Sequence, residues 1–238
     1  MKIFPTVLSI IALTMFLSLP TYAQSGPDSA GPDAANASNA ASPQPSGKES
    51  YTLKRGDNEF GGWGGISFKA TTIFAGLSDA EAADRKFFIA AFRYGRTLAA
   101  NDALALQYTV DAIPVAVATG VITSRTIVGG VTTFHRETAY GGGISPLGLQ
   151  LDFANGSKVH PFVHVNAGLL GFTKPVPIED SGKLAFTLEG GGGVRIFTSA
   201  RRAITVGVRF HHISNGDRSG SNRGLNQFVF YGGYSFFK

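Results

Sequence analysis

From Phe60 onward the chain repeats one pattern, in which apolar and polar side chains alternate along segments of about 10–15 residues, well above the ordinary strand of ~5–6. Successive side chains of a strand point to opposite faces, so each such segment predicts a strand with one apolar face. Each segment is also long enough for the tilted membrane crossing of a strand, which takes ~9–11 residues. Eight long strands are predicted: Phe60–Lys69, Lys86–Arg96, Ala103–Ile113, Ala139–Phe153, Val159–Phe172, Lys183–Phe197, Arg201–Ser214 and Leu225–Phe237.

The alternation separates two faces in each segment. In the sixth, Leu184, Phe186 and Leu188 share one face, whereas Thr187 and Glu189 share the other. Apolar side chains outside and polar side chains inside are typical of an outer-membrane β-barrel. A soluble β-sandwich that binds a small apolar ligand also alternates, so this pattern leaves both architectures open.

The connections between segments favour the barrel. Three of them are short, at Thr97–Asp102, Ala154–Lys158 and Thr198–Ala200, and they alternate with longer ones such as Pro114–Thr138. Such alternation matches the periplasmic turns and extracellular loops of outer-membrane barrels. We therefore predict an all-β fold, an eight-stranded antiparallel outer-membrane β-barrel located in the cell outer membrane.

The residues before the first strand predict export. Residues 1–23 combine a positive start, an apolar core and a small-residue cleavage pattern, which indicates a signal peptide. Residues 24–50 are rich in Ala, Ser and Pro and predict a disordered leader, because they have almost no apolar surface to bury. Residues 51–238 are left for the barrel domain, which contains no cysteine and so no disulfide.

Charge and motifs argue against several other classes of function. The formal net charge is +5, but the Lys and Arg residues are scattered rather than clustered, so we expect no nucleic-acid partner. No His or carboxylate cluster has the spacing of metal ligands, and no Gly-rich segment has the context of a phosphate loop. We expect neither a metal nor a cofactor.

One short motif suggests chemistry. His212 and Ser214 lie two residues apart at the end of the seventh segment, so their side chains share a face, about 6.5–7 Å apart at the backbone. An imidazole can activate a serine hydroxyl by taking its proton near neutral pH. His-x-Ser is a weak pattern, however, and Ser214 to Asp217 are also typical residues for the start of a loop.

The longer run FHHISNGDRSGSNRGLN, followed by a closing aromatic strand, resembles the PagL-type lipid A 3-O-deacylases of Gram-negative outer membranes. In that family a His-x-Ser-Asn motif supplies the base and the nucleophile, and an Asn-x-Gly follows in the loop. The matching positions are His212, Ser214, Asn215, Asn222 and Gly224. The resemblance implies a serine esterase that acts on an acyl chain of lipid A in lipopolysaccharide.

The third catalytic position departs from the family. The family's glutamate, two residues after that glycine, corresponds to Asn226, which shares the outer face of His212 and Ser214. An Asn oxygen can accept the imidazole N–H but cannot stabilise the imidazolium by charge, and a flipped amide would select the wrong tautomer. Glu189 is expected inside the barrel instead, paired with Arg195 or Arg209.

The resemblance also suggests donors for the developing oxyanion. We expect these to be the backbone N–H groups around Asn215 and Gly216, together with the Asn222 amide, although Asn222 could equally be a turn residue. The terminal Gly232–Phe236 stretch resembles the signal read by the barrel-insertion machinery, which is then a further partner. The alternative function is a barrel without catalysis, with a structural or surface-interaction role.

Overall fold

The computed structural model describes residues 51–73, 82, 84–220, 222 and 224–238, so the predicted signal peptide and leader lie outside the described residues. In this part of the chain nine β-strands form one sheet: β1 (Asn58–Ser67), β2 (Ala70–Thr71), β3 (Lys86–Ala100), β4 (Leu104–Val128), β5 (Val131–Phe153), β6 (Val159–Phe172), β7 (Leu184–Ser199), β8 (Arg202–Ser214) and β9 (Leu225–Phe237). A short 3-10 helix, Glu179–Ser181, lies between β6 and β7. Within the described residues no helix is long and apolar enough to cross a membrane.

The sheet closes on itself. Each strand pairs antiparallel with its neighbour, and β1 also pairs with β9. The two-residue β2 continues the position of β1 after an interruption at Phe68 and Lys69, and it pairs with β9 as well. The sheet is therefore a closed barrel with eight strand positions, as predicted, and the β-sandwich alternative is wrong.

The largest difference from the prediction concerns β4 and β5. The stretch Pro114–Thr138, predicted to be a loop, continues the ladder of these strands as a long hairpin. The chain reverses at Gly129 and Gly130, which both have positive φ (57° and 81°) as a tight hairpin turn requires. Interruptions of the ladder, one of them between Ile113 and Ala116 beside Pro114, accommodate a residue that cannot donate to it.

The predicted faces are confirmed. On β7 the side chains of Leu184, Phe186 and Leu188 are exposed on the outer wall, whereas Thr187 and Glu189 are buried in the interior. The outer wall of the neighbouring strands continues with Ile204, Val206 and Val208 on β8 and Phe228 and Phe230 on β9. This wall is the apolar surface that a membrane barrel presents to lipid.

The barrel's own side chains fill its interior. Arg195 binds Glu59 and Asp152 at 2.8 and 2.9 Å, and Arg93 forms two hydrogen bonds to Asp111. The interior is not polar throughout, because apolar clusters lie beside these ion pairs, one of them built from Leu53, Ala105, Phe197, Ala203 and Phe237. All of these charges are paired, as buried charges must be.

The two ends of the barrel differ as expected. The turns after β3, β5 and β7 are short, whereas the connections after β6 and β8 and the tip of the β4–β5 hairpin lie at the opposite end. The connection from Asn215 to Gly224 belongs to this second end. It follows that the end of β8, with His212 and Ser214, is at the rim that carries the long connections.

Candidate functional site

The ladder between β7, β8, β9 and β2 positions the candidate site. His212 faces Leu188 on β7 and Asn226 on β9, and Asn226 in turn faces Thr71 on β2. Ser214, two residues further along β8, faces Phe186. Four neighbouring strands thus hold these side chains in two adjacent rows.

His212 and Ser214 both lie on the outer face. The burial of β8 alternates, with His211 and Ile213 buried in the interior and His212 and Ser214 only half-buried. Their placement on one face follows from the two-residue period of a strand. The predicted orientation toward the lipid side of the wall is therefore confirmed.

His212 is oriented by Asn226. The Nδ1 atom of His212 is hydrogen-bonded to the Oδ1 atom of Asn226. Asn226 also donates from Nδ2 to the backbone carbonyl of Ile73, at 2.5 Å. The side chain of Asn226 lies in the outward row yet is 0 % exposed, because its neighbours on both sides cover it.

Ser214 is the remaining member of the predicted group. Within the described residues no hydrogen bond joins its hydroxyl to His212. Catalytic hydrogen bonds are often long before substrate binds and tighten in the complex, and the i, i+2 spacing leaves the two side chains within reach of each other.

The backbone of Gly224 lies against the imidazole of His212. A Cβ at Gly224 would lie 2.8 Å from His212 Cε1 and 3.3 Å from Nδ1, so no larger residue fits there without displacing the ring. The glycine that the family motif carries at this position thus has a physical reason in this chain. It lets the loop after β8 return directly over the histidine.

Asn215 shapes the loop that follows Ser214. Its side chain donates to the hydroxyl of Ser219 at 2.6 Å and accepts from the backbone N–H of Asp217 at 3.0 Å, which forms an Asx turn. Gly216 has a φ of +63°, and a Cβ there would lie 3.1 Å from the ring of Phe186. These contacts fix the backbone next to Ser214, where the predicted oxyanion donors lie.

Asn222 is not brought into the site. It is exposed in the loop and forms no hydrogen bond with another described residue. Its predicted function as an oxyanion donor therefore remains a prediction, as does the alternative as a turn residue.

Glu189 lies in the interior and is not part of the site. Its carboxylate binds Arg209 at 2.6 Å, which confirms one of the two ion-pair partners predicted for it. His160 and His164 on β6 are buried in the interior as well. Among the described residues, no group of three or more histidine or carboxylate side chains is placed to hold a metal ion.

The sequence did not reveal two contributors to the site. One is the backbone carbonyl of Ile73, which binds Asn226 from the end of β2 and lies 153 positions away in the sequence. The other is Phe186, whose ring lies beside Gly216 and 5.8 Å from the guanidinium of Arg218. A pairing register between strands could have predicted Phe186, but a backbone carbonyl leaves no signal in a side-chain pattern.

A family model matches the part of the chain that contains the predicted site residues. A model of the family described as lipid A 3-O-deacylase (PagL) matches residues 105–235, which is more than half of the chain and includes all the predicted site residues. No curated protein sequence matches the chain significantly.

Several solved outer-membrane structures are similar to the fold. The outer membrane enzyme PagL is 16% identical, with 75% of this chain and 98% of that chain covered and a TM-score of 0.45. Neisserial surface protein A is 13% identical over 76% of this chain and 96% of its own, with a TM-score of 0.41. OprG from Pseudomonas aeruginosa is 12% identical over 80% and 99%, with a TM-score of 0.45. On the match of the family model, the chain belongs to the lipid A 3-O-deacylase (PagL) family and is a protein of the outer membrane.

Proposed function

We propose that this protein is a serine esterase that removes an ester-linked 3-hydroxyacyl chain from lipid A within the outer membrane. The observation that carries the proposal is the hydrogen-bonded pair His212–Asn226, with Ser214 on the same lipid-facing side at the rim of the barrel. Membership of the deacylase family supports the class of reaction and the substrate.

The position of the site fits a lipid substrate. Below the rows of His212 and Ser214 the wall is apolar, beginning with the aromatic pair Phe210 and Phe228, whose ring centroids are 5.5 Å apart. Further along β8 and β9 the wall has an open groove of about 610 Å³, whose lining includes Val206, Phe230 and the paired Gly64 and Gly232. An acyl chain beside the site would therefore lie against apolar side chains, with its ester near the rim.

The proposed reaction proceeds through an acyl-enzyme on Ser214, with His212 as the base and then the acid. The Nε2 atom of His212 takes the proton of the Ser214 hydroxyl while the serine oxygen attacks the ester carbonyl. The tetrahedral intermediate then collapses, the sugar hydroxyl leaves with the proton from His212, and the acyl chain stays on Ser214. Water activated by the same imidazole releases the fatty acid and restores the serine.

The developing oxyanion needs hydrogen-bond donors. The backbone N–H groups at Asn215 and Gly216 lie directly after the nucleophile, in the segment that the Asx turn fixes. A donor of this kind is worth about 10²–10³ in turnover in a serine hydrolase. We assign these two backbone groups as the oxyanion donors, with the Asn222 amide as a further donor once the loop meets substrate.

Asn226 makes this site a slower one than a site with a carboxylate. An amide oxygen positions the imidazole but adds no charge to stabilise the imidazolium. We therefore expect turnover below that of family members that have the glutamate.

A barrel without catalysis is the alternative function. Two observations favour it, the amide at position 226 and the lack of a hydrogen bond between the described side chains of His212 and Ser214. It predicts folded barrels that hydrolyse neither lipid A nor a simple p-nitrophenyl ester.

The mass of lipid A distinguishes the two functions. The full chain is expressed in a Gram-negative outer membrane, and its folding is checked by heat-modifiable migration. The molecular mass of lipid A from these cells is then measured by mass spectrometry. We expect the loss of one 3-hydroxyacyl chain with the wild type and no loss with Ser214→Ala. Ser199→Ala, at the opposite end of the barrel, is the matched control and should behave as wild type. Unchanged lipid A with folded wild-type protein, or deacylation that survives Ser214→Ala, would contradict the proposal.

A further inference from the structure

The orientation of the Asn226 amide is set from outside the catalytic group. A backbone carbonyl can only accept a hydrogen bond, so the carbonyl of Ile73 requires that the Nδ2 group of Asn226 point toward it. The amide oxygen must then point the other way, toward Nδ1 of His212. The flipped amide, which would select the wrong tautomer, is disfavoured because it would place Oδ1 of Asn226 against the carbonyl oxygen of Ile73.

The orientation of the Asn226 amide also determines which nitrogen of His212 carries the proton. An amide oxygen has no proton to donate, so the Nδ1 atom of His212 must be the donor in their hydrogen bond. In the neutral imidazole Nε2 is then unprotonated and available to accept the proton of Ser214. A chain of two hydrogen bonds therefore determines which nitrogen is the base.

The position of the Ile73 carbonyl has its own support. The backbone N–H of Ile73 donates to the hydroxyl of Thr71 at 3.3 Å, which turns the chain at the end of β2. Thr71 itself is paired with Asn226 across the ladder. The same two-residue strand thus covers Asn226 and presents the carbonyl that orients it.

We propose that the Thr71–Ile73 turn is a positioning device that holds Asn226, and through it His212, in the Nδ1–H tautomer, which lets an asparagine take the place of the family's glutamate. This inference rests on the proposed function for its catalytic consequence. Thr71 and Asn226 are positioning residues, because each acts through His212 and neither has to touch the substrate.

The proposed contact with the Ile73 carbonyl predicts the effect of placing a carboxylate at position 226. An aspartate at position 226 would set an oxygen against the Ile73 carbonyl and leave that carbonyl without its donor. We expect Asn226→Asp to lower the stability of the barrel and to give no gain in kcat at neutral pH, because a carboxylate cannot donate to the Ile73 carbonyl and would move away from it. In a triad without such a carbonyl the exchange of amide for carboxylate would be expected to raise turnover.

The direct test is the tautomer of His212. The full chain is labelled with ¹⁵N-histidine, folded in detergent micelles and examined by NMR, and His212→Gln identifies the resonance. We expect wild-type His212 to carry its proton on Nδ1. Thr71→Val should give a mixture of tautomers and a roughly tenfold lower kcat with little change in KM, by the loss of one orienting hydrogen bond. Thr71→Ser keeps the hydroxyl and should restore both.

Gln227→Leu is the matched control on β9. Gln227 faces the interior and lies 3.4 Å from Nδ1 of His211, so this variant should alter the His211 resonance and leave that of His212 unchanged. A proton on Nε2 of wild-type His212 would overturn the proposal, and so would a rise in turnover with Asn226→Asp. A wild type with the Nδ1–H tautomer but without lipid A deacylation would uphold the positioning device and refute the proposed function.

Discussion

Two neighbouring histidines, His211 and His212, have opposite environments. His211 is buried in the interior, 3.5 Å from the carboxylate of Glu189 and stacked on Phe87. His212 faces the outer wall and is hydrogen-bonded to Asn226. One step along a strand separates a group that is part of the interior packing from a group that can meet a lipid.

The same contrast holds for the whole barrel. Interior charges are paired across strands, as in Arg195 with Glu59 and Asp152, and are fully buried. On β8 the outer wall is apolar from Ile204 to Phe210, and His212 and Ser214 follow it at the rim. Polar groups are costly in the middle of a lipid-facing wall but cost little near its rims, so the rim can hold a polar site without a large loss of stability.

The largest expected effect separates the two histidines. His212→Gln should reduce lipid A deacylation by roughly 10³-fold or more, because it removes the general base of the proposed mechanism. His211→Gln should leave the activity of the folded protein within about threefold of wild type, since a local packing change away from the reacting atoms costs mainly stability. Initial rates on purified lipid A, divided by the folded fraction, measure both. Equal losses from the two variants would refute the contrast between the faces.

Breaking the interior ion pairs of Arg195 should lower the stability of the barrel without lowering the rate of deacylation per folded molecule. Arg195→Met leaves two buried carboxylates, Glu59 and Asp152, without their cation. Removing one partner of a buried ion pair costs about 3–5 kcal/mol. Urea unfolding of the barrel in lipid vesicles should show this loss, while the rate per folded molecule stays near wild type. A stable Arg195→Met barrel with low activity would instead show that the interior ion pairs influence the activity of the site.

A smaller effect is expected from Gly224→Ala. Its Cβ would lie 2.8 Å from the imidazole of His212 and displace the ring. A shift of about 1 Å in a catalytic group can cost about 10²-fold, so we expect a 10- to 100-fold loss in kcat.

The control is Gly190→Ala, because a Cβ at Gly190 on β7 meets nothing within 4 Å. It should keep both the activity and the heat-modifiable migration of the wild type. Wild-type activity in Gly224→Ala would show that the position of the His212 ring does not limit turnover.

Much of the fold follows from periodicity in the sequence. The alternation predicted the bounds of β6 and β9, and it predicted the outward face of His212 and the inward face of Glu189, because a two-residue period determines the face of every side chain. It did not predict the hairpin through Pro114–Thr138, since a proline and breaks in the ladder interrupt the alternation there.

The site was only partly predictable for a different reason. The shared outer face of His212, Ser214 and Asn226 was predicted from the two-residue period of each strand, whereas the pairing of His212 with Asn226 came only from the structure. The turn at Thr71 and Ile73 depends on closure of the barrel, which brings β2 to β9 from the far end of the sequence. Contacts made by backbone atoms between distant segments have no pattern that a sequence displays.

Trapping the nucleophile tests the central claim most directly. Folded protein in outer-membrane vesicles is treated with a serine-reactive alkyl phosphonate, and its peptides are analysed by mass spectrometry. We expect one label, on Ser214, that is lost in His212→Gln and protected by lipid A. A label on another residue in protein that deacylates lipid A would contradict the assignment of Ser214 as the nucleophile.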